Sequence, residues 1–380
     1  MSSLMSKLGA LREAREAAGI SLSVMAARTH FTKGHLSNVE KGRRKATPEV
    51  VLAYEQVLGD SVDRRSLLTG VAAGVVVPIA VSELIRKGFT AALGSRRPED
   101  EWLKQVDAYG RDYMSIGAVE LQNRLAEDLV VLQQHLDTRT LWAVAARLLV
   151  VHGKTVPGED GSQGAVRWYK LAAVAADRSE DTSVRVWVRG RAALALAYEG
   201  AVLTTATELA DQALGLSSKP STGRLNAFLA KAHVAGVRGD RKAAIVELEQ
   251  AKRVFDDAGS DEQISDFAIP EWRMATISSM LLSRLGDPKA VDAQGVADRT
   301  RPATLPRFAT HIQLHRGLMM AKDGDVVGGI SYARSALAKL PAERHSLSLR
   351  LLMQEIERTP ATNHRQTLGV SRLRLRPAAA

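Results

Sequence analysis

Thr32-Lys33-Gly34-His35-Leu36-Ser37-Asn38-Val39-Glu40-Lys41-Gly42 contains the start, the buried stripe and the stop of one short helix. Thr32 is a good N-cap, because its hydroxyl accepts a first-turn N–H that has no partner inside the helix. Leu36 and Val39 lie three apart on one face, and Gly42 ends the run. Lys33, Gly34, Ser37 and Asn38 then point away from the buried stripe. Upstream, Ser21 caps a helix expected to reach Thr29, with Val24, Met25 and Ala27 on its buried side. Before it, Leu4, Leu8, Leu11 and Ala18 keep helical spacing and stop at Gly19. Downstream of Arg43-Arg44-Lys45, Thr47-Pro48 opens another helix with Pro at its first position, and Val50, Val51, Tyr54 and Leu58 form its apolar side up to Gly59.

Composition sets the frame around this head. The chain has 380 residues, 45% hydrophobic and 25% charged, enough for two or three domains and a sizeable core. There is no cysteine, which excludes disulfides, thiolate metal sites and cysteine nucleophiles and suits a reducing compartment such as the cytoplasm. The net charge of +10 is uneven: residues 1–60 carry +3, residues 61–98 carry +4, and residues 359–380 carry four Arg and no acid. The body between them is near neutral. A basic front end points to nucleic acid or another anionic surface.

The head resembles the Cro/repressor (XRE) helix-turn-helix family. The resemblance rests on Leu11-Arg12-Glu13-Ala14-Arg15, Gly19-Ile20-Ser21, Met25-Ala26, Leu36 to Gly42 and Thr47-Pro48-Glu49, and covers about one sixth of the chain. Leu22 departs from it where a polar residue is usual, and Gly34 offers no side chain to a base. The resemblance implies that the helix opening at Thr32 enters the major groove of double-stranded DNA. Lys33 can then donate to guanine and Asn38 can pair with adenine or reach a phosphate, with His35 and Ser37 the next candidates. Thr32, Lys41 and the Arg43-Arg44-Lys45 run are placed for phosphates. Such modules work in pairs, so a homodimer on an inverted repeat is expected.

Residues 61–98 read as a linker. Arg64-Arg65 followed by the apolar run Val71–Val81 imitates an export signal, but it would sit behind a folded domain, and Pro78 interrupts a run already shorter than the ~20 residues that cross a bilayer. A linker helix docked on the body is expected, with no membrane partner.

From 99 to 358 the sequence is helix after helix, with breaks near Gly117 and at Pro157-Gly158, Lys219-Pro220, Gly259 and Gly286-Asp287-Pro288. Small residues recur seven apart at Ala165/Ala172, Ala206/Ala213, Ala244/Ala251 and Gly329/Ala336, and Gly239-Asp240 and Gly324-Asp325 precede two of these pairs by five residues. This resembles tetratricopeptide repeats, with small residues where paired helices cross. The spacing is irregular at 41, 38 and then 85, which fits two degenerate units. The whole is therefore expected to be all-α: a helix-turn-helix domain (1–60), the linker (61–98), a tetratricopeptide-like α-solenoid (99–358) and a basic disordered tail (359–380).

In the tetratricopeptide pattern, the position thirteen residues before each turn glycine faces the groove; here that selects Asn226, Arg273 and His311. His233 and His315 share two of those helices, and Arg189 and Arg191 come from the preceding pair. All can hydrogen-bond a peptide backbone or carboxylate, so these seven are the expected ligand residues. His311 and His315 lie at i, i+4, but with no third ligand in view no metal is expected, and no cofactor. No phosphate-binding loop, dinucleotide fingerprint, nucleophile elbow or His-Glu-x-x-His motif is present, so no enzyme is expected. Together the two resemblances imply a cytoplasmic transcriptional regulator similar to the peptide-responsive quorum-sensing type, including actinobacterial regulators. A constitutive repressor with a dimerisation-only solenoid and a protein–protein adaptor are the alternatives.

Overall fold

Helix ends shape this architecture: ten of the sixteen described helices are started by a side-chain cap or stopped by a left-handed turn glycine. A computed structural model describes residues 15, 20–41, 43–44, 47, 50, 53–54, 78–94, 96–156, 162–259 and 262–359. Every regular element among them is helical, and the chain divides into two units, 1–86 and 87–380.

In the first unit, α1 (Leu22–Ala27) and α2 (Lys33–Glu40) are capped as the sequence predicts. Ser21 Oγ accepts the Val24 N–H at 3.2 Å, and Thr32 Oγ1 accepts the His35 N–H at 3.3 Å. Met25, Leu36, Val39, Val50 and Tyr54 are fully buried together with Ile20. Two expectations for α1 need correction. It ends at Ala27 rather than Thr29, and Val24 and Ala27 are exposed, while Leu22 and Ala26 pack with Met25 against the core. The buried stripe follows i, i+3, i+4 from Leu22, so the leucine that departs from the family pattern serves the core. The expected helix at 4–18, the Gly42 stop, Lys45, most of the 47–59 helix and the Arg64-Arg65 pair lie outside the described residues.

The second unit stacks helices in antiparallel pairs. They are α4 (Glu99–Ser115) with α5 (Ala118–Leu132), α6 (Arg139–Thr155) with α7 (Ser162–Ser179), α8 (Thr182–Glu199) with α9 (Leu203–Leu216), α10 (Thr222–Val237) with α11 (Arg241–Ala258), α12 (Glu271–Arg284) with α13 (Ala290–Thr300), and α14 (Pro306–Lys322) with α15 (Val326–Ala338). A last helix, α16 (Leu347–Glu357), packs on α14 and α15. Ahead of them α3 (Pro78–Leu93) begins at the proline that breaks the apolar run; in this second unit its Gly88 packs close to Val130, and Lys87 pairs with Glu127 at 2.7 Å. Among the described residues no helix is long and apolar enough to cross a membrane.

The small-residue pairs all lie buried on the second helices α7, α9, α11 and α15. The structure adds Ala290 and Ala297 on α13, also fully buried and seven apart. That resolves the gap of 85: the two steps are 46 and 39, and the longer one contains the non-helical residues 262–270, whose Asp266 N–H donates to the Gly110 carbonyl at 2.8 Å. Within four pairs the turn uses a left-handed glycine, Gly200, Gly239, Gly286 or Gly324, with φ of 72°, 79°, 61° and 99°. In each, the following residue donates back five positions to close the first helix, as Asp240 does to Ala235 at 2.9 Å. Asp240 and Asp325 then cap the next helix. Between pairs, α8 and α10 approach so closely that a Cβ on Gly190 would sit 2.1 Å from the Gly223 carbonyl oxygen.

Candidate nucleic-acid interface and body cavity

On the head, the outward side of α2 carries Thr32, Lys33 and Gly34 exposed and Ser37 and Asn38 half-buried beside them. Nothing lies within 4 Å of where a Gly34 side chain would project, so that stretch of helix presents bare backbone. The Asn38 carbonyl accepts both the Arg43 and Arg44 N–H groups, at 2.8 and 3.1 Å, which folds the start of the basic loop back against the end of α2. Lys41, Arg43 and Arg44 are exposed. His35 faces sideways: its ring stacks on Phe31 at 5.2 Å, and its Nδ1 accepts from Arg44 at 3.2 Å. It holds Arg44 beside the helix.

Beneath this surface lies an ion pair the sequence reading missed. Arg15 donates to both Glu40 oxygens, at 2.6 and 2.7 Å, and to the Ile20 carbonyl at 2.8 Å, while Tyr54 Oη donates to Glu40 at 2.7 Å. Burial, and then the Glu40 carboxylate, push the Tyr54 phenol up. Arg15 and Glu40 both stand in the motifs that carry the resemblance, so their presence was visible but not their pairing. Residues 9–68 match the family model of a helix-turn-helix domain. The match runs past residue 60, into the basic junction. No curated protein and no solved structure matches the chain significantly.

In the body, the first helices of five pairs and the start of α16 line a cavity with about 760 Å³ of empty space, part of it open to solvent. Its wall includes Tyr113, Lys154, Arg191, Tyr198, Arg273, Arg307, Phe308 and His311. Behind it, the 262–270 segment delivers a fully buried carboxylate, Asp266. Arg191 donates to its two oxygens at 2.8 and 3.2 Å, Arg273 donates at 2.6 Å, and Lys154 Nζ lies 2.5 Å away. Lys154 is close enough for an ion pair but makes no hydrogen bond of acceptable geometry; it sits 3.4 Å over the Tyr113 ring. Burial alone would raise the Asp266 carboxyl, but Arg191, Lys154 and Arg273 override it and hold it far below the usual carboxylate range. Burial, with Arg191 next, pushes the Lys154 ammonium well down.

Of the seven expected ligand residues, Arg191, Arg273 and His311 line this one cavity. The other four do not. Arg189, two positions from Arg191 and so on another side of α8, bonds Asp177 and Gln212 at 2.7 and 3.1 Å. Asn226 is buried in α10, and His233 lies against Arg284 at 3.3 Å. His315 stands behind the wall, bridging Tyr198 Oη at 3.0 Å and Ser279 Oγ at 2.9 Å. His311 is pushed down to about 3 by burial and then by Arg307, and burial followed by Arg284 takes His233 to about 3. Lys154, Asp266 and Arg307 were not anticipated. Lys154 had a signal, a lysine at the end of the apolar run Leu148–Val151; Asp266, in a segment without periodicity, had none.

Proposed function

We propose that the chain is a sequence-specific transcriptional regulator that binds an inverted-repeat operator as a homodimer in the cytoplasm, with the helical body as its sensing part. The observation that carries it is the capped helix α2 of a helix-turn-helix domain, showing Lys33 and Asn38 on its outer side with Arg43 and Arg44 folded against its end. A ligand alters such a protein only by binding one arrangement of the two heads better than the other. The cavity favours a sensing body over a dimerisation-only one, because an apolar wall with a few converging polar groups is the make-up of a small-molecule site. Similarity to peptide-responsive regulators makes a short signalling peptide the first ligand class to test. No catalytic step is proposed.

The test is a gel shift on promoters recovered by in-cell DNA enrichment. With ~6–10 phosphate contacts, log affinity falls against log salt with a slope near −0.9 per contact. Lys33→Ala/Asn38→Ala is expected to lose about 1–3 kcal/mol of discrimination per base contact removed. A slope near zero, or unchanged discrimination in the double variant, rejects this binding mode.

A further inference from the structure

We propose that the body cavity is a carboxylate-binding site, in which Arg307 receives the acid group of a compact ligand and the apolar wall holds its frame. This rests on the body being the sensor. Arg307 is buried, yet among the described residues it has no carboxylate partner. Its guanidinium donates to the Tyr113 carbonyl and lies 4.9 and 5.3 Å from the Tyr113 and Phe308 rings, so it is already oriented. A planar guanidinium fork matches a carboxylate, and a buried charge without a counter-ion is costly until one arrives.

The surroundings agree. Lys154, Arg191 and Arg273 also line the cavity, and all three share the single carboxylate of Asp266. Glu199 on the wall is the other acid, so cations outnumber acids by four to two. The N-terminus of α16 lines the same space through Ser346, Leu347 and Ser348, adding first-turn N–H groups that favour an anion. Leu194, Ile277 and Phe308 supply an apolar side for the rest of the ligand. The acid could belong to a small organic molecule or to the free C-terminus of a short hydrophobic peptide.

Calorimetric titration of the full chain separates these sources. The probes are 4-phenylbutyrate and its amide, and the tripeptide Ala-Leu-Phe with a free or amidated C-terminus. At least one acid is expected to bind tenfold or more tightly than its amide, and the series that binds better identifies the source. Arg307→Gln is expected to lower acid affinity at least tenfold without altering amide binding, and Arg307→Lys to restore part of it. Ser348→Asp, a substitution that suits a helix start, places a negative charge at the cavity and is expected to weaken the acids even where Arg307→Gln folds poorly. Equal binding of acids and amides, no binding of either acid, or wild-type acid affinity in a folded Arg307→Gln or Ser348→Asp chain overturns the assignment. Operator binding measured on the same preparation keeps the two readings apart. Its loss with acid selectivity intact rejects the regulator alone, and its retention without acid selectivity rejects the cavity site alone.

Discussion

Both units of this chain bury arginine against a carboxylate, and they do it to opposite ends. In the head, Arg15 donates to both oxygens of Glu40, and Tyr54 and the Ile20 carbonyl take up further hydrogen bonds. In the body, three cations converge on Asp266, Arg307 stands nearby with no carboxylate partner among the described residues, and a cavity opens beside them. The first arrangement ties α2 to the head core. The second gathers more cations than acids along a cavity wall, the charge pattern that an anion would complete. What adjoins the buried charges, more than their burial, distinguishes the two sites.

The largest expected effect lies in the head. Glu40→Ala takes from the buried Arg15 the carboxylate to which it donates twice, which costs about 3–5 kcal/mol. The head should melt and operator binding should vanish in gel shifts, while the helical signal of the body persists in circular dichroism. An intact head in that variant would break the contrast.

Asp266→Asn removes one charge-assisted set of hydrogen bonds from a centre that also borders a cavity, so a loss of about 2–3 kcal/mol is expected in denaturant unfolding. The informative part is its response to 4-phenylbutyrate, which should stabilise this variant more than the wild type by supplying negative charge. An identical response in both would show that Asp266 and the ligand do not act on the same field.

The smallest effect of a single group is in pH. His152 is pushed down to about 4 by burial, and His233 and His311 to about 3 by burial and neighbouring arginines. In the folded body they stay neutral, whereas in the unfolded chain each binds a proton below about 6.5. Their stabilisation is therefore complete above about 6.5 and is lost as pH falls toward 3–4, at about 1.4 kcal/mol per pH unit for each group. His152→Phe, against Trp168, should flatten the profile in unfolding experiments at pH 7, 6 and 5.

The head was largely legible before any coordinates. Ser21 and Thr32 cap where their residue types predict, and Leu36 and Val39 are buried where a three-residue spacing puts them. Val24 misled because a short helix buries a narrow stripe, and its apolar side chain alone did not say which side faces in. In the body, the Ala and Gly pairs marked the second helices, yet Ala290/Ala297 escaped because the 262–270 segment lengthens the step before it. Of the three residues that the groove position picks out, Arg273 and His311 stand on the cavity wall and Asn226 does not, because its helix α10 contributes nothing to that wall.

What the sequence determined by itself is everything that contiguous residues decide: helix starts and stops, buried stripes, turn glycines, the basic head and the absence of thiol chemistry. Caps and periodicity act over a few residues, so they survive without knowledge of the fold. Only the tertiary structure decided that Lys154, Arg191, Asp266, Arg273 and Arg307 meet. They come from five separate segments, with Arg191 and Asp266 75 positions apart, and no local pattern encodes a convergence over that distance. Helix stacking places them, and low polarizability around them makes their charge imbalance matter.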